Sequence, residues 1–183
     1  TRFFYSEIFS FGIKRETEGW LFKTVYEKPQ EDIPEETSIT GGEYFHTGKS
    51  NSIVISPALP EKPLVFKGNH IKVTAGQKLT FFLKIPLSVQ IFFSKAVPEN
   101  LLKEIPSRQL SHTWFGEPDN GEIALAYGSE YFLDFESLIP TPFEAICPIV
   151  IINHSPSTLE VQRLIIRTEN LSIYQNKDKK VTS

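Results

Sequence analysis

From residue 79 to residue 93 the odd positions are all apolar: Leu79, Phe81, Leu83, Ile85, Leu87, Val89, Ile91 and Phe93. Thr80, Lys84, Ser88, Gln90 and Ser94 stand on the even side. A period of two places successive side chains on opposite faces of an extended backbone, so this segment reads as strand with its odd face on a core. One straight strand of ~15 residues at ~3.3 Å each would run about 50 Å, too long for a domain of this size. Pro86 has no N–H to give to a ladder. A kink, or a handover between two sheets, is therefore expected at Pro86, with one face inward on both sides.

Elsewhere the elements are shorter. Residues 2–11 and 20–26 read as strands around a polar turn over 12–19, with Trp20, Phe22, Thr24 and Tyr26 on one face. Residues 27–38, rich in proline and acid, read as a surface loop. Residues 51–56 form a strand closed by Pro57. Residues 64–66 and 70–74 form two more, with Lys67-Gly68-Asn69 as a hairpin turn. Pro98 and Glu99 start, and Pro106 stops, a short helix over 98–105. Glu117-Pro118-Asp119-Asn120-Gly121 is a turn between strands at 111–115 and 122–127. Strands at 130–135, 144–153, 158–168 and 171–174 complete the set. Within 158–168 the apolar phase shifts from Leu159 and Val161 to Leu164 and Ile166, which predicts a β-bulge near Gln162 or Arg163.

Short strands without βαβ alternation define an all-β fold: an antiparallel β-sandwich, jelly-roll-like or an open barrel, with one short helix. The expected organisation is one β-rich domain over residues 1–174 and a polar, frayed tail over 175–183. Composition agrees. The 15 Phe, 6 Tyr and 2 Trp among 183 residues suit pleated, half-buried surfaces, and 13 Pro and 10 Gly supply turns.

Charge narrows the partners. A net charge of −3 is wrong for a protein that holds phosphate backbones through clustered cations. The basic cluster Lys177, Lys179 and Lys180 lies in the polar tail, so no nucleic-acid role is expected. The longest apolar run, residues 145–152, falls far short of the ~20 residues that span a bilayer. No transmembrane segment is expected in the chain. A cytoplasmic location is the default expectation, a leader cleaved before Thr1 being invisible in this sequence. The single cysteine, Cys147, sits in that run and reads as a small buried hydrophobe, with nothing nearby to lower its pKa.

The candidate chemistry is thin. Gly48-Lys49-Ser50 invites a phosphate-loop reading, but Glu43 stands where that loop needs glycine, and a strand follows instead of a helix, so residues 41–50 read as a glycine-rich loop between strands. His46, His70, His112 and His154 form no close-spaced pair. His112 with Glu117, or His46 with a facing glutamate, are the metal-ligand candidates. Asp119-Asn120-Gly121-Glu122 lacks the length of an EF-hand loop. No Gly-x-Ser-x-Gly elbow occurs. Asn153-His154-Ser155 and Asn170-Leu171-Ser172 match the glycosylation sequon. The feature least easily set aside is a set of rings on the polar side of strands: Phe82, Phe92 and Phe132, a candidate contact patch unless a loop covers them.

Three stretches carry a family resemblance. They are Phe82-Leu83-Lys84-Ile85-Pro86-Leu87-Ser88-Val89, the element running His112-Thr113-Trp114-Phe115-Gly116-Glu117-Pro118-Asp119-Asn120-Gly121-Glu122-Ile123, and the ending Val150-Ile151-Ile152-Asn153-His154-Ser155 through Val161-Gln162-Arg163-Leu164-Ile165-Ile166. Together they resemble the archaeal and bacterial family filed as domain of unknown function 432, over roughly residues 53–174. The resemblance implies a β-rich domain and brings no catalytic residues with it.

The function these readings favour is a non-catalytic binding or interaction domain, self-associating or meeting a protein partner, with no cofactor. The alternative is a metal-dependent or carboxylate-based enzyme of β-sandwich or cupin-like type. Converging titratable groups in a concave site would mark the enzyme, and a flat apolar patch the interaction domain.

Overall fold

The computed structural model describes residues 2–5, 10–25, 39, 41–139, 141 and 143–175. The expected loop over 27–38 and the tail beyond 175 lie outside these residues. The chain is all-β and sandwich-like, with no closed barrel among the described residues. It divides into two compact units, Thr1–Pro57 with Val89–Ser107, and Ala58–Ser88 with Arg108–Ser183.

In the first unit β1 (Arg2–Tyr5), β2 (Ser10–Glu16), β3 (Gly19–Val25) and β4 (Glu43–His46) make one antiparallel sheet in that order. The turn placed at 12–19 is tighter than expected. Strand β2 runs on to Glu16, and only Thr17 and Glu18 lie between the strands. Phe11, Ile13 and Phe22 are buried. The glycine-rich stretch at 41–50, expected as loop, supplies β4, because Phe45 lies opposite Trp20 and packs edge-on to Phe22 at 5.3 Å.

Strand β5 (Ile53–Ala58) continues through Pro57, which is accommodated at a sheet edge. In the second unit β6 (Leu64–Val73) is one strand where a hairpin was expected. Both of its halves pair with the same partner, so Lys67-Gly68-Asn69 cannot reverse the chain. Gly68, Asn69 and His70 form a bulge instead, with His70 at a φ of 64°. A side chain at Gly68 would collide with the Val161 carbonyl oxygen, since its Cβ would lie 2.3 Å away. The register shift falls between Val161 and Arg163, where the change of apolar phase predicted it.

The long alternating segment divides at its proline. Strand β7 (Lys78–Pro86) belongs to the second unit, and β8 (Ser88–Phe93) is the middle strand of the sheet β5–β8–β9. The odd residues from Phe81 to Ile91 are buried throughout. Ser88 and Phe92 on the other side are buried as well, at 6% exposure each, because a central strand buries both faces.

The helix expected over 98–105 is a single 3-10 turn, Pro98–Asn100, followed by β9 (Leu101–Pro106). Proline does start the turn, but pairing with β8 outweighs the propensity of so short a segment.

Strand β10 (His112–Phe115) and β11 (Glu122–Gly128) form the expected hairpin. Its Gly121 is required by close approach: a Cβ there would lie 2.2 Å from Trp114 Nε1. Strand β12 (Glu144–Ile152) pairs antiparallel with β7, and β13 (Leu159–Ile166) completes the sheet β10–β11–β6–β13. One pairing, β11 with β6, is parallel. The strands expected at 130–135 and 171–174 are absent as ladders. The first contributes one bridge, Phe82 to Phe132, and the second follows a 3-10 turn at Thr168–Asn170.

The four-stranded sheet and the β7–β12 ribbon enclose a core of Leu64, Phe66, Ile71, Phe81, Leu83, Ile85, Val161 and Ile166. Tyr127 joins it, its hydroxyl oxygen accepting the Lys84 N–H at 3.0 Å. Burial raises the Tyr127 pKa from 10.0 to about 12. Between those values the unfolded chain has lost the proton and the folded chain keeps it, so raising the pH favours unfolding. Stability is expected to be full below pH 10 and to fall by about 1.4 kcal/mol per pH unit from 10 towards 12. Urea midpoints at pH 9 and pH 11.5 would show this. A Tyr127→Phe variant should lose part of that slope, and an unchanged slope would refute the assignment.

Candidate contact face and ligand cleft

The ribbon's outer face follows from its register. Lys78, Thr80, Phe82 and Lys84 of β7 lie opposite Ile152, Val150, Pro148 and Ile146 of β12. By alternation all eight lie on the side opposite the odd set, although Ile146 is itself buried, at 3% exposure. Val150 and Ile152 are about half exposed, at 50% and 51%. The segment after residue 130 extends this face. Its backbone bridges Phe82 through Phe132, and the Phe135 ring packs edge-on to Phe82 at 5.6 Å. Lys84 Nζ sits 4.7 Å above the Phe132 ring. Phe82 and Phe132 are thus brought together as half-buried neighbours, with exposed Leu133 and Phe135 beside them. Phe92, expected on an exposed face, is buried in the first unit.

The same register explains how the ribbon's edges are finished. The Phe82 N–H donates to the Phe132 carbonyl at 2.8 Å, so even residues of β7 direct their backbone groups away from β12. By antiparallel alternation their partners Ile146, Pro148 and Val150 also face outward. Along β7 the outward N–H groups of Phe82 and Lys84 meet the Phe132 carbonyl and the Tyr127 hydroxyl, and Pro86 has none to offer. On β12 the outward position at 148 is likewise a proline. Unpaired edges template further pairing, and proline at an outward register blunts them.

The metal candidates are not drawn together. His46 is exposed on β4, and His112 and Glu117 lie at opposite ends of β10. Glu117 uses its carbonyl to accept from Trp114 Nε1 at 3.1 Å. Among the described residues no three His, Cys, Asp or Glu side chains converge. Cys147 is half-buried on an apolar groove of about 240 Å³, and burial raises its pKa, which keeps the thiol protonated. Asn153 of the sequon is 3% exposed and occupied structurally. Its amide donates to the Val73 and Ser157 carbonyls, and its oxygen accepts from the Ser155 N–H and hydroxyl.

A second feature was not foreseen from sequence. On the first sheet Arg2 lies opposite Ile13, and Arg15 opposite Trp20. Their common face borders a cleft of about 440 Å³, closed on its other side by residues 51–53 and Ile55. The Arg15 guanidinium lies 5.4 Å from the Trp20 ring centre. It donates to Asn51 Oδ1 at 3.3 Å and to the carbonyls of Gly19 and Gly48. The available signal was Arg15 itself, a cation in the same alternating register as buried Phe11 and Ile13.

No helix among the described residues is long and apolar enough to cross a membrane. Comparison with curated proteins and with solved structures returns no match.

Proposed function

The chain belongs to the family described as protein of unknown function (DUF432), whose model matches residues 2–183, and from that premise we propose that its β-rich domain, residues 1–174, is a non-catalytic binding module. Its partner is a second copy of the chain, met through the outer face of the β7–β12 ribbon. The observation that carries this reading is the apolar continuity of that face: Phe82 and Phe132 at its centre, with Phe135, Val150 and Ile152 between 42% and 51% exposed around them. Single exposed apolar residues are ordinary, whereas contiguous ones mark interaction surfaces.

Charge favours a second copy over an unlike partner. Lys78 and Lys84 stand on the face, and exposed Asp134 and Glu136 follow Phe132 in the adjoining segment, so both signs of charge occur around it. A two-fold interface needs a self-complementary patch of that kind.

Light scattering over a concentration series tests the proposal. The native chain should rise from 20.9 kDa towards twice that mass. A Phe135→Ser, Val150→Ser double variant should stay monomeric with its melting transition retained. A native chain that holds monomer mass at high concentration would end the proposal.

A further inference from the structure

The geometry points to a second binding site, the cleft of the first unit, and to its ligand class: a small organic anion with an apolar body. The inference is independent of the ribbon face and rests on three features. The first is charge. Arg2 and Arg15 both border the cleft, and no residue that lines it is acidic. Arg15 is held by neutral acceptors, the Asn51 amide oxygen and the carbonyls of Gly19, Gly48 and Thr17, so its fixed hydrogen bonds leave its charge uncompensated. Among the described residues the ion pairs of this unit, Lys14–Glu16 and Lys103–Glu43, involve neither arginine. A guanidinium locked in place by its neighbours is already oriented for a carboxylate or phosphate oxygen, and loses little freedom on meeting one.

The second feature is an unmet donor. Trp20 Nε1 is buried and has no hydrogen-bond partner, although its ring lines the cleft and stacks on Arg15. Buried N–H groups in folded proteins nearly always find an acceptor, and an exception needs an explanation. An anionic oxygen brought by a ligand becomes such an acceptor once the side chains that shield this nitrogen from the cleft move aside. The third feature is the apolar wall. Ile13, Ile53 and Ile55 line the same space, and about 440 Å³ lies within the usual range for small-molecule sites. A bare inorganic ion would leave this wall unused, and a neutral apolar molecule would leave the arginines unused. Only a ligand with both parts uses the whole cleft.

The test reads Trp20 fluorescence in a Trp114→Phe background, since the chain has 2 tryptophans. Sodium octanoate should change the emission saturably. Octan-1-ol, of the same length without the charge, and inorganic phosphate, with charge but no body, should each bind at least tenfold more weakly. Arg2→Gln, at an exposed position, should weaken octanoate at least tenfold without shifting the melting temperature. Arg15 is left intact because it ties two loops together. No saturable response to octanoate would overturn the inference. So would equal binding of octanol or phosphate, or an Arg2→Gln variant that binds octanoate as the native chain does.

Discussion

Replacing Phe81 with alanine is expected to lower the free energy of unfolding by about 3–5 kcal/mol. The ring is fully buried, 5.6 Å from Phe66 and 5.7 Å from Tyr131, at the centre of the second unit's core. Truncation removes its burial and leaves a cavity that two neighbouring rings cannot fill without changing their own packing. Such a loss approaches the whole stability of a marginal domain, which is roughly 5–15 kcal/mol. The adjacent Thr80 is exposed on the opposite face, and Thr80→Ala should cost less than about 0.5 kcal/mol. Urea unfolding of both variants checks the ordering. If Thr80→Ala proved the costlier change, the ribbon would be facing the wrong way.

The second large effect is expected at Asn153. Its side chain connects three segments: the end of β6 through the Val73 carbonyl, the turn after β12 through Ser155, and the approach to β13 through the Ser157 carbonyl. Its backbone adds bonds to Gly76 and Gln77 at the β6–β7 turn. Asn153→Ala removes four side-chain hydrogen bonds and strands carbonyls in a site that water reaches poorly. Leaving buried polar groups unpaired costs about 1–3 kcal/mol per group, so a total near 3 kcal/mol is expected. Ser155→Ala, which keeps the amide's bonds to Val73 and Ser157, should cost about 1 kcal/mol. Denaturant midpoints for the two variants would show the difference. An Asn153→Ala variant as stable as the native chain would mean that this amide holds nothing together.

These two positions show what one sequence could and could not disclose. Phe81 was legible because alternation over residues 79–93 is a local property, and the proline in its midst called for a kink or a change of sheet without altering which face is inward. The bulge opposite Gln162 was legible for the same reason: a phase change cannot be hidden within a strand. Asn153 read only as a sequon, since nothing local says that the carbonyls of Val73 and Ser157 will come within its reach. Segments 98–105 and 41–50 were misread because their partners, β8 and β3, lie elsewhere in the chain and outweigh weak propensities. The cleft was hidden most fully. Its arginines and isoleucines come from β1, β2 and β5, and only the odd placement of Arg15 beside buried Ile13 hinted that one wall would be charged.

The prolines at 86 and 148 bear on how copies of this chain can add to one another. A ribbon with two open edges can accept a neighbour on each side, and head-to-tail addition of that kind has no natural end, growing into a filament. Here the β7 edge is already engaged by Phe132 and the Tyr127 hydroxyl, and the β12 edge presents a proline ring where a donor would be required. Growth along the hydrogen-bonding direction is therefore obstructed at Phe82, Lys84 and Pro86 on one edge and at Pro148 on the other. What stays open is the broad side of the ribbon, and broad sides that meet across a two-fold axis use each other up. A pair formed as proposed, broad side to broad side, would end at two copies.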